Sequence, residues 1–157
     1  MKIFKRAFGL FLLLGIGACG TNKVAGISTS HIDMPLEMRE DFSYFMDVCM
    51  ESPKFRGHCH YAARTLDRIE YLDYGPESHV IGTCYRYSAG MQNITISSSY
   101  YKSTSEENKR SLLVHELLHC VIGAPHLNDT KLMSPWQHYM TMEEIDDDLK
   151  LILSRGF

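Results

Sequence analysis

The stretch LLVHELLHCVI, residues 112–122, decides the fold that we expect for this chain. It is apolar on nearly all sides apart from His115, Glu116 and His119, and it predicts the second half of a long helix that stops at Gly123. A helix that is apolar on most sides has to be buried. Two histidines and a glutamate are costly to bury without partners, so they need a group that satisfies them.

The spacing of these three polar residues predicts a metal site. His115 and His119 are four residues apart, so on a helix they lie one turn apart on the same face, and both imidazoles can bind one ion. Glu116 is rotated about 100° from His115 and therefore lies beside the ion, where it can accept a proton from a metal-bound water. The pattern thus predicts two metal ligands and a general base within five residues.

The rest of the chain predicts an α+β domain. A first helix is expected from about Asp33 to Ser52, the long helix begins near residues 103–105, and a last helix runs from Thr141 to Arg155. Three stretches rich in aromatic and β-branched residues predict strands, at residues 68–74, 80–87 and 93–101. We therefore expect a mixed, twisted sheet packed against the long helix and a C-terminal helix.

Composition limits the classes of function. A chain of 157 residues is long enough for one domain with one core. With 45% hydrophobic and 22% charged residues, it has the composition of a globular protein. The formal net charge is -3 and no long basic run is present, so we expect no nucleic-acid partner. We expect a monomer.

The first residues predict export. Lys2, Lys5 and Arg6 precede an apolar stretch over residues 7–16, which is too short for a comfortable membrane span and is followed by small residues. This pattern is typical of a cleavable signal peptide, which we place at residues 1–18.

The end of the signal peptide resembles a bacterial lipobox. The sequence Ile16-Gly17-Ala18-Cys19 implies that Cys19 becomes the lipidated first residue of the mature protein. The resemblance implies a protein anchored by lipid in the bacterial cell envelope, and Gly20, where an aspartate would signal retention, implies the outer membrane. Residues 19–30 are small and polar and predict a flexible tether, which leaves 31–157 as the folded domain.

Four cysteines lie beyond the lipobox. An even number of cysteines in an oxidising compartment predicts two disulfides, and four cysteines allow three connectivities. We favour Cys49–Cys59 with Cys84–Cys120, while the other two connectivities stay open. Cys120 lies about 140° around the helix from His115, so we expect it to point away from the metal.

The residues around the long helix resemble the metzincin peptidases, and matrixin-like members in particular. HELLHCVIGAPH, residues 115–126, followed by Met133, is similar to the family motif HExxHxxGxxH with its methionine turn. The resemblance covers about residues 105–135 and implies a small zincin-like domain that binds Zn²⁺. It implies that His126 is the third ligand and that Met133 forms the turn beneath the metal.

The match to the family motif departs at one point. Three residues separate His119 from Gly123, where the family has two, so that His126 lies seven rather than six residues after His119. The helix then has to run one residue further, or hold a bulge, before it turns. Alternative third ligands stay open. Glu143 and Glu144 lie on a later helix, as the ligand of gluzincin-type peptidases does, although this acidic run is also typical of a solvated helix face. Asp129 could serve if His126 points away.

The resemblance implies a zinc-dependent endopeptidase. It would hydrolyse peptide bonds of a peptide or protein substrate with a metal-activated water and with Glu116 as general base. By analogy with metzincins, the strand near residues 93–99 is the candidate edge against which an extended substrate could pair. The alternative is a non-catalytic, zinc-binding envelope lipoprotein that stores metal or docks a partner.

Overall fold

The computed structural model describes residues 23–24, 27–75, 77–136, 138–155 and 157. The predicted signal peptide and the predicted lipidation site at Cys19 lie outside these residues. Within the segment predicted as a tether, Lys23–Val24 (β1) and Ile27–Ser28 (β2) pair as a short antiparallel ladder, and Thr29 after them is buried. A strand pair therefore occupies part of this segment.

The described residues are rich in helix. A 3₁₀ turn at Leu36–Met38 leads into the first helix, and a π turn at Leu118–Ile122 continues the fourth. The α-helices are α1 (Arg39–Glu51), α2 (Arg56–Thr65), α3 (Ser98–Ser103), α4 (Glu106–Leu117) and α5 (Met142–Arg155). Together with a three-stranded sheet they make a mixed α+β fold, as the sequence predicts. Among the described residues, none of these helices has both the length and the apolar character that a membrane span requires.

The sheet is mixed in direction. Its strands are β3 (Leu66–Leu72), β4 (Gly82–Arg86) and β5 (Gln92–Ser97), in the order β3-β5-β4. β3 runs parallel to β5, and β4 runs antiparallel to it. All three lie close to the positions that the sequence predicts.

The edge of this sheet is not where we expected it. β5 hydrogen-bonds to a strand on each side, so the prediction that residues 93–99 form an edge is wrong. The run from Ile94 to Ser97 is buried at every position, as a central strand covered on both faces requires. β3 and β4 are the two edge strands instead.

The third predicted strand is also too long. The chain leaves the sheet at Ser97, whose hydroxyl accepts a hydrogen bond from the backbone N–H of Tyr100 at 3.4 Å and so caps α3. Serine competes well as a helix cap because its short side chain reaches back to the backbone. Residues 98–101 therefore form helix rather than strand, and Tyr101 packs into the core.

Helix α2 was not predicted, and it explains the first disulfide. Its buried face consists of Cys59, Ala62 and Ala63. This apolar pattern is too short and too weakly hydrophobic to predict a helix from the sequence. Cys59 pairs with Cys49 of α1 with a Cα–Cα distance of 6.1 Å.

The second disulfide joins the sheet to the π turn that follows α4. Cys84 of β4 pairs with Cys120 in the π turn with a Cα–Cα distance of 5.4 Å. Both disulfides match the connectivity that we favoured, and Cys120 points away from the two histidines of its own helix, as predicted.

The core lies between the helices and the sheet. α1 contributes Phe42, Phe45 and Met46 at helical spacing, and Ile94 and Ile96 of β5 are fully buried. α4 is covered on most sides, since the four residues Leu112, Leu113, Val114 and Leu117 are all buried. This burial fixes α4 and thereby the side chains that it carries into the open cleft described below.

Candidate metal centre

Three histidines converge at the end of α4. His115 lies in the last turn of α4, His119 lies in the π turn, and His126 lies in the loop that follows. One ligand atom from each histidine lies within 4.8 Å of the other two. The three side chains are therefore close enough to hold a metal ion, and the two histidines of the sequence motif do converge as their spacing predicts.

The hydrogen bonds of His115 and His119 place the proton of each ring on Nδ1 and leave Nε2 without one. Nδ1 of His115 bonds the Leu132 carbonyl and Nδ1 of His119 bonds the Ala124 carbonyl, each at 2.6 Å. A carbonyl oxygen only accepts, so both Nδ1 atoms must donate, and a neutral ring then has a lone pair on Nε2. The two Nε2 atoms face each other at 3.0 Å.

This pair of facing lone pairs fits a cation. Neither Nε2 can donate to the other, and two nitrogens bound to one tetrahedral zinc ion lie about 3.3 Å apart, close to the observed separation. Burial lowers the pKa of His115 to about 4 and also lowers the pKa of His119. Both rings are therefore neutral at neutral pH, which is the form that binds metal.

The π turn accounts for the extra residue of the motif. The backbone N–H of Gly123 donates to the Leu118 carbonyl, five residues earlier, and the N–H of Ala124 donates to the same carbonyl at 3.1 Å. A turn that is one residue wider than an α-turn takes up one inserted residue. Gly123 then adopts a left-handed conformation with φ 73°, which ends the helix and directs His126 toward the site.

Side chains from the sheet satisfy the end of this helix. The last carbonyls of a helix lack N–H partners within it, and here Pro125 has no N–H to offer. The guanidinium of Arg86 donates to the carbonyls of His119 and Cys120, and the amide of Gln92 donates to the Cys120 carbonyl at 3.0 Å. β4 and β5 therefore hold the turn that carries His119.

The turn at Met133 closes the loop that carries His126. Met133 is fully buried, and its carbonyl accepts the Leu127 N–H at 2.8 Å, which closes the loop that begins at His126. The preceding residue, Leu132, accepts from His115 through its carbonyl, and its N–H donates to Asp148 Oδ2 at 3.0 Å. A carboxylate on α5 thus helps to orient a candidate ligand through the backbone of one residue, Leu132.

Asp148 was not singled out in the sequence, because it lies in the acidic run of residues 143–148, which is also typical of a solvated helix face. A signal was present, since Asp148 falls on the same stripe as the buried residues Ile145, Leu149 and Ile152 of α5. A charged residue within an apolar stripe indicates a partner in the interior.

Glu116 lies beside the three histidines in a cleft. Its side chain is only 5% exposed, and burial raises the pKa of Glu116 to about 8. The cleft has a volume of about 630 Å³ and is lined by β4, by the residues before it, by α4 and by Ser134 and Pro135. The base that the motif predicts therefore faces the same space as the candidate ligands.

The alternative third ligands do not join this cluster. Glu144 pairs with Lys131 and accepts the Thr141 N–H at 2.8 Å, so it completes the capping box of α5. Asp129 pairs with Arg155 at 2.6 Å, and Glu143 is exposed. Within the described part of the chain, His126 is the residue that completes a group of three candidate ligands with His115 and His119.

No family model matches this chain, and no curated protein or solved structure matches it. A function for this chain is therefore inferred from the geometry and chemistry of its own residues.

Proposed function

We propose that this chain is a zinc-dependent endopeptidase of the metzincin type. The observation that carries the proposal is the convergence of three imidazoles and one buried carboxylate on a single open cleft beside an edge strand. Such a set of groups suits the metal-assisted hydrolysis of an extended peptide.

Zinc is the ion that best suits the donor set. Three imidazoles without a thiolate or a second carboxylate are typical ligands of catalytic zinc. Structural zinc sites are closed by four protein ligands, whereas catalytic sites have three and leave one position open. His126 is exposed and the site opens into the cleft, which favours the catalytic kind.

Glu116 is the group that moves the proton. Bound to the three histidines, Zn²⁺ would supply a Lewis acid that polarises a water molecule and a carbonyl oxygen. Glu116 takes the proton of the attacking water and delivers it to the leaving amine. In the metal-free chain, burial raises the pKa of this carboxyl group toward the neutral range, where an acid–base catalyst is most effective.

β4 is the surface on which a substrate would lie. It is the edge strand that lines the cleft, through Gly82, Thr83, Cys84 and Arg86, so its free backbone groups can pair with an extended peptide. Pairing through the backbone would place a scissile bond across the cleft, and the residues of the cleft walls would select the substrate side chains.

We further propose that Cys19 anchors the enzyme by lipid to the bacterial envelope, on the outer membrane.

The test combines metal analysis with proteolysis. The purified chain is assayed for zinc stoichiometry and for cleavage of fluorescently labelled casein, alongside Glu116→Gln and the exposed control Glu143→Gln. We expect one zinc per chain in all three, and a loss of cleavage of about 10²–10⁴-fold in Glu116→Gln alone. A wild-type chain that binds no stoichiometric zinc, or a Glu116→Gln chain that cleaves at the wild-type rate, would overturn the proposal.

The alternative is a non-catalytic zinc-binding lipoprotein. It uses the same three histidines but assigns no role to Glu116 or to the cleft. Under this alternative, wild type and Glu116→Gln both bind zinc and neither cleaves any peptide, so the same experiment separates the two functions.

A further inference from the structure

The side chain of Glu116 is buried but has no polar partner. Within the described residues, no hydrogen bond or ion pair holds its carboxylate, and burial is the one cause that shifts its pKa. A long, unbranched side chain without a bond can adopt several rotamers. Its position must therefore be set by the shape of the surrounding walls.

The closest wall is the backbone of β4 at Gly82. A Cβ atom built on Gly82 would lie 2.5 Å from Glu116 Oε1 and 2.8 Å from both Cδ and Cγ. These separations are far below the contact distance of about 3.5–4.0 Å between carbon atoms. Any residue other than glycine at this position would collide with the glutamate side chain.

Space, and not backbone conformation, is the reason for this glycine. The described glycines with positive φ are Gly75, Gly90 and Gly123, and Gly82 is not among them. The position lies in an ordinary strand, paired with Ile96 of β5. The backbone conformation at position 82 therefore allows an alanine, but its methyl group would overlap with the Glu116 side chain.

β4 cannot easily move away to make room. On one side of Gly82, the Ile81 carbonyl accepts the Ser97 N–H at 2.8 Å. On the other side, Cys84 is joined by a disulfide to Cys120 in the π turn, and Arg86 donates to the carbonyls of His119 and Cys120 in that turn. The strand is thus fixed to both β5 and the π turn. A methyl group at position 82 would displace the carboxylate rather than the strand.

We propose that Gly82 is a positioning residue for the general base. The missing side chain leaves a slot against β4 into which the Glu116 side chain fits, and this slot sets the place of the carboxylate beside the three histidines. The inference rests on the proposed function, because it gives a catalytic purpose to the position of Glu116.

The first test compares two alanine substitutions. Gly82→Ala adds a methyl group against Glu116, and Gly57→Ala is the matched control, since a Cβ on Gly57 meets nothing within 4 Å. A displacement of about 1 Å in a reacting group lowers the rate by about 10²-fold. We expect Gly82→Ala to lower kcat by about this factor with KM and zinc stoichiometry unchanged, and Gly57→Ala to match wild type in all three.

The second test asks whether the two residues act together. Glu116→Asp shortens the side chain by one methylene group and frees the space that an alanine at position 82 would occupy. We expect the double variant Gly82→Ala/Glu116→Asp to be no slower than Glu116→Asp alone, because contacting residues do not contribute independently. Losses that multiply would contradict a shared slot.

A crystal structure of Gly82→Ala gives a measurement that does not depend on activity. We expect the three histidines in place and the Glu116 carboxylate displaced by about the size of the contact violation. The inference is wrong if Glu116 stays and β4 moves, if Gly82→Ala loses zinc, or if its kcat equals that of wild type. An inactive or zinc-free wild type would instead refute the proposed function, and the inference with it.

Discussion

The two disulfides of this protein hold two differently built regions. Cys49–Cys59 joins α1 to α2 over ten residues, where both sulfurs are buried in an ordinary apolar core. Cys84–Cys120 joins β4 to the π turn over 36 residues, where the neighbours are a candidate metal ligand and the wall of the cleft. The first region, which we name the helical side, is held by packing. The second, the metal side, is held by hydrogen bonds between distant segments.

The comparison shows that the departures from regular secondary structure lie on the metal side. The helical side uses local spacing, with buried residues one helical turn apart. The metal side combines a π turn, a left-handed glycine and polar groups that bond backbone carbonyls. Departures of this kind cost stability and persist where a function needs them. Four experiments can break or sharpen the comparison.

The largest effect is expected at the third histidine. His126→Ala removes one of the three candidate ligands, so we expect the loss of stoichiometric zinc and of proteolysis, measured by metal analysis and casein cleavage. His138→Ala is the matched control, because His138 bonds Ser134 and lies outside the cluster. Glu144→Ala should also retain zinc. Zinc retained by His126→Ala and lost from Glu144→Ala would reverse our assignment of the third ligand.

Removing the disulfides one at a time should separate the two sides. Loss of the longer loop, in Cys84→Ala/Cys120→Ala, is expected to lower the free energy of unfolding by about 4 kcal/mol, and loss of the shorter loop by about 3 kcal/mol. The zinc dissociation constant should rise in Cys84→Ala/Cys120→Ala alone, because the Cys84–Cys120 disulfide fixes the strand beside the site. Urea unfolding and zinc titration check this, and equal zinc affinities in both variants would contradict it.

The pH dependence of stability tests the burial of Glu116 in the metal-free chain. Its pKa is raised in the folded state, from an ordinary value near 4.5 to about 8, so the folded state binds more protons than the unfolded state within this window. Stability from this group is therefore full below about pH 4.5 and is lost as pH rises toward 8.

Glu116→Gln removes this titrating group and should change how the free energy of unfolding depends on pH. We expect the free energy of unfolding of the variant, relative to wild type, to increase by at most about 4 kcal/mol between pH 4.5 and 8. His115 titrates in the opposite sense in both proteins and cancels in the difference, since its pKa is lowered and its contribution grows from about pH 4 to 6.5. A difference that does not vary with pH would mean that Glu116 is ionised in the fold.

The smallest effect is expected at Asp148, which bonds the backbone beside Met133. Asp148→Ala removes the acceptor of the Leu132 N–H and loosens the carbonyl that orients His115. Losing such an outer partner weakens metal binding by about 10-fold or somewhat more. Zinc titration measures this against Asp147→Ala, an exposed neighbour on the same helix. Equal affinities in the two variants would remove Asp148 from the metal side.

Local rules explain how much of this structure could be predicted. The convergence of His115 and His119 follows from helix geometry alone. The Ser105 cap of α4 and the reciprocal bonds between Thr141 and Glu144 also depend on residues three apart, so the sequence contains all that they need. The same holds for Gly123 as the end of the helix.

What could not be predicted depends on contacts between distant segments. Which strands form the edges is set by the order of pairing, and the sequence of β5 gives no sign of it. Ile94 and Ile96 alternate with Thr95 and Ser97, which predicts a half-buried strand, although both faces are buried in the fold. The contact between Gly82 and Glu116 spans 34 residues and becomes visible only when the strand and the helix are packed. The role of Asp148 is hidden for the same reason.

The π turn after His119 has a consequence for how related sequences are recognised. A single inserted residue is usually thought to rotate everything beyond it on a helix by about 100°. Here the residue that is extra relative to the motif HExxHxxGxxH lies within one wide turn, and His126 downstream of it still lies close to His115 and His119. A search pattern with rigid spacing passes over such a chain, whereas one that allows two or three residues between the second histidine and the glycine would retrieve it.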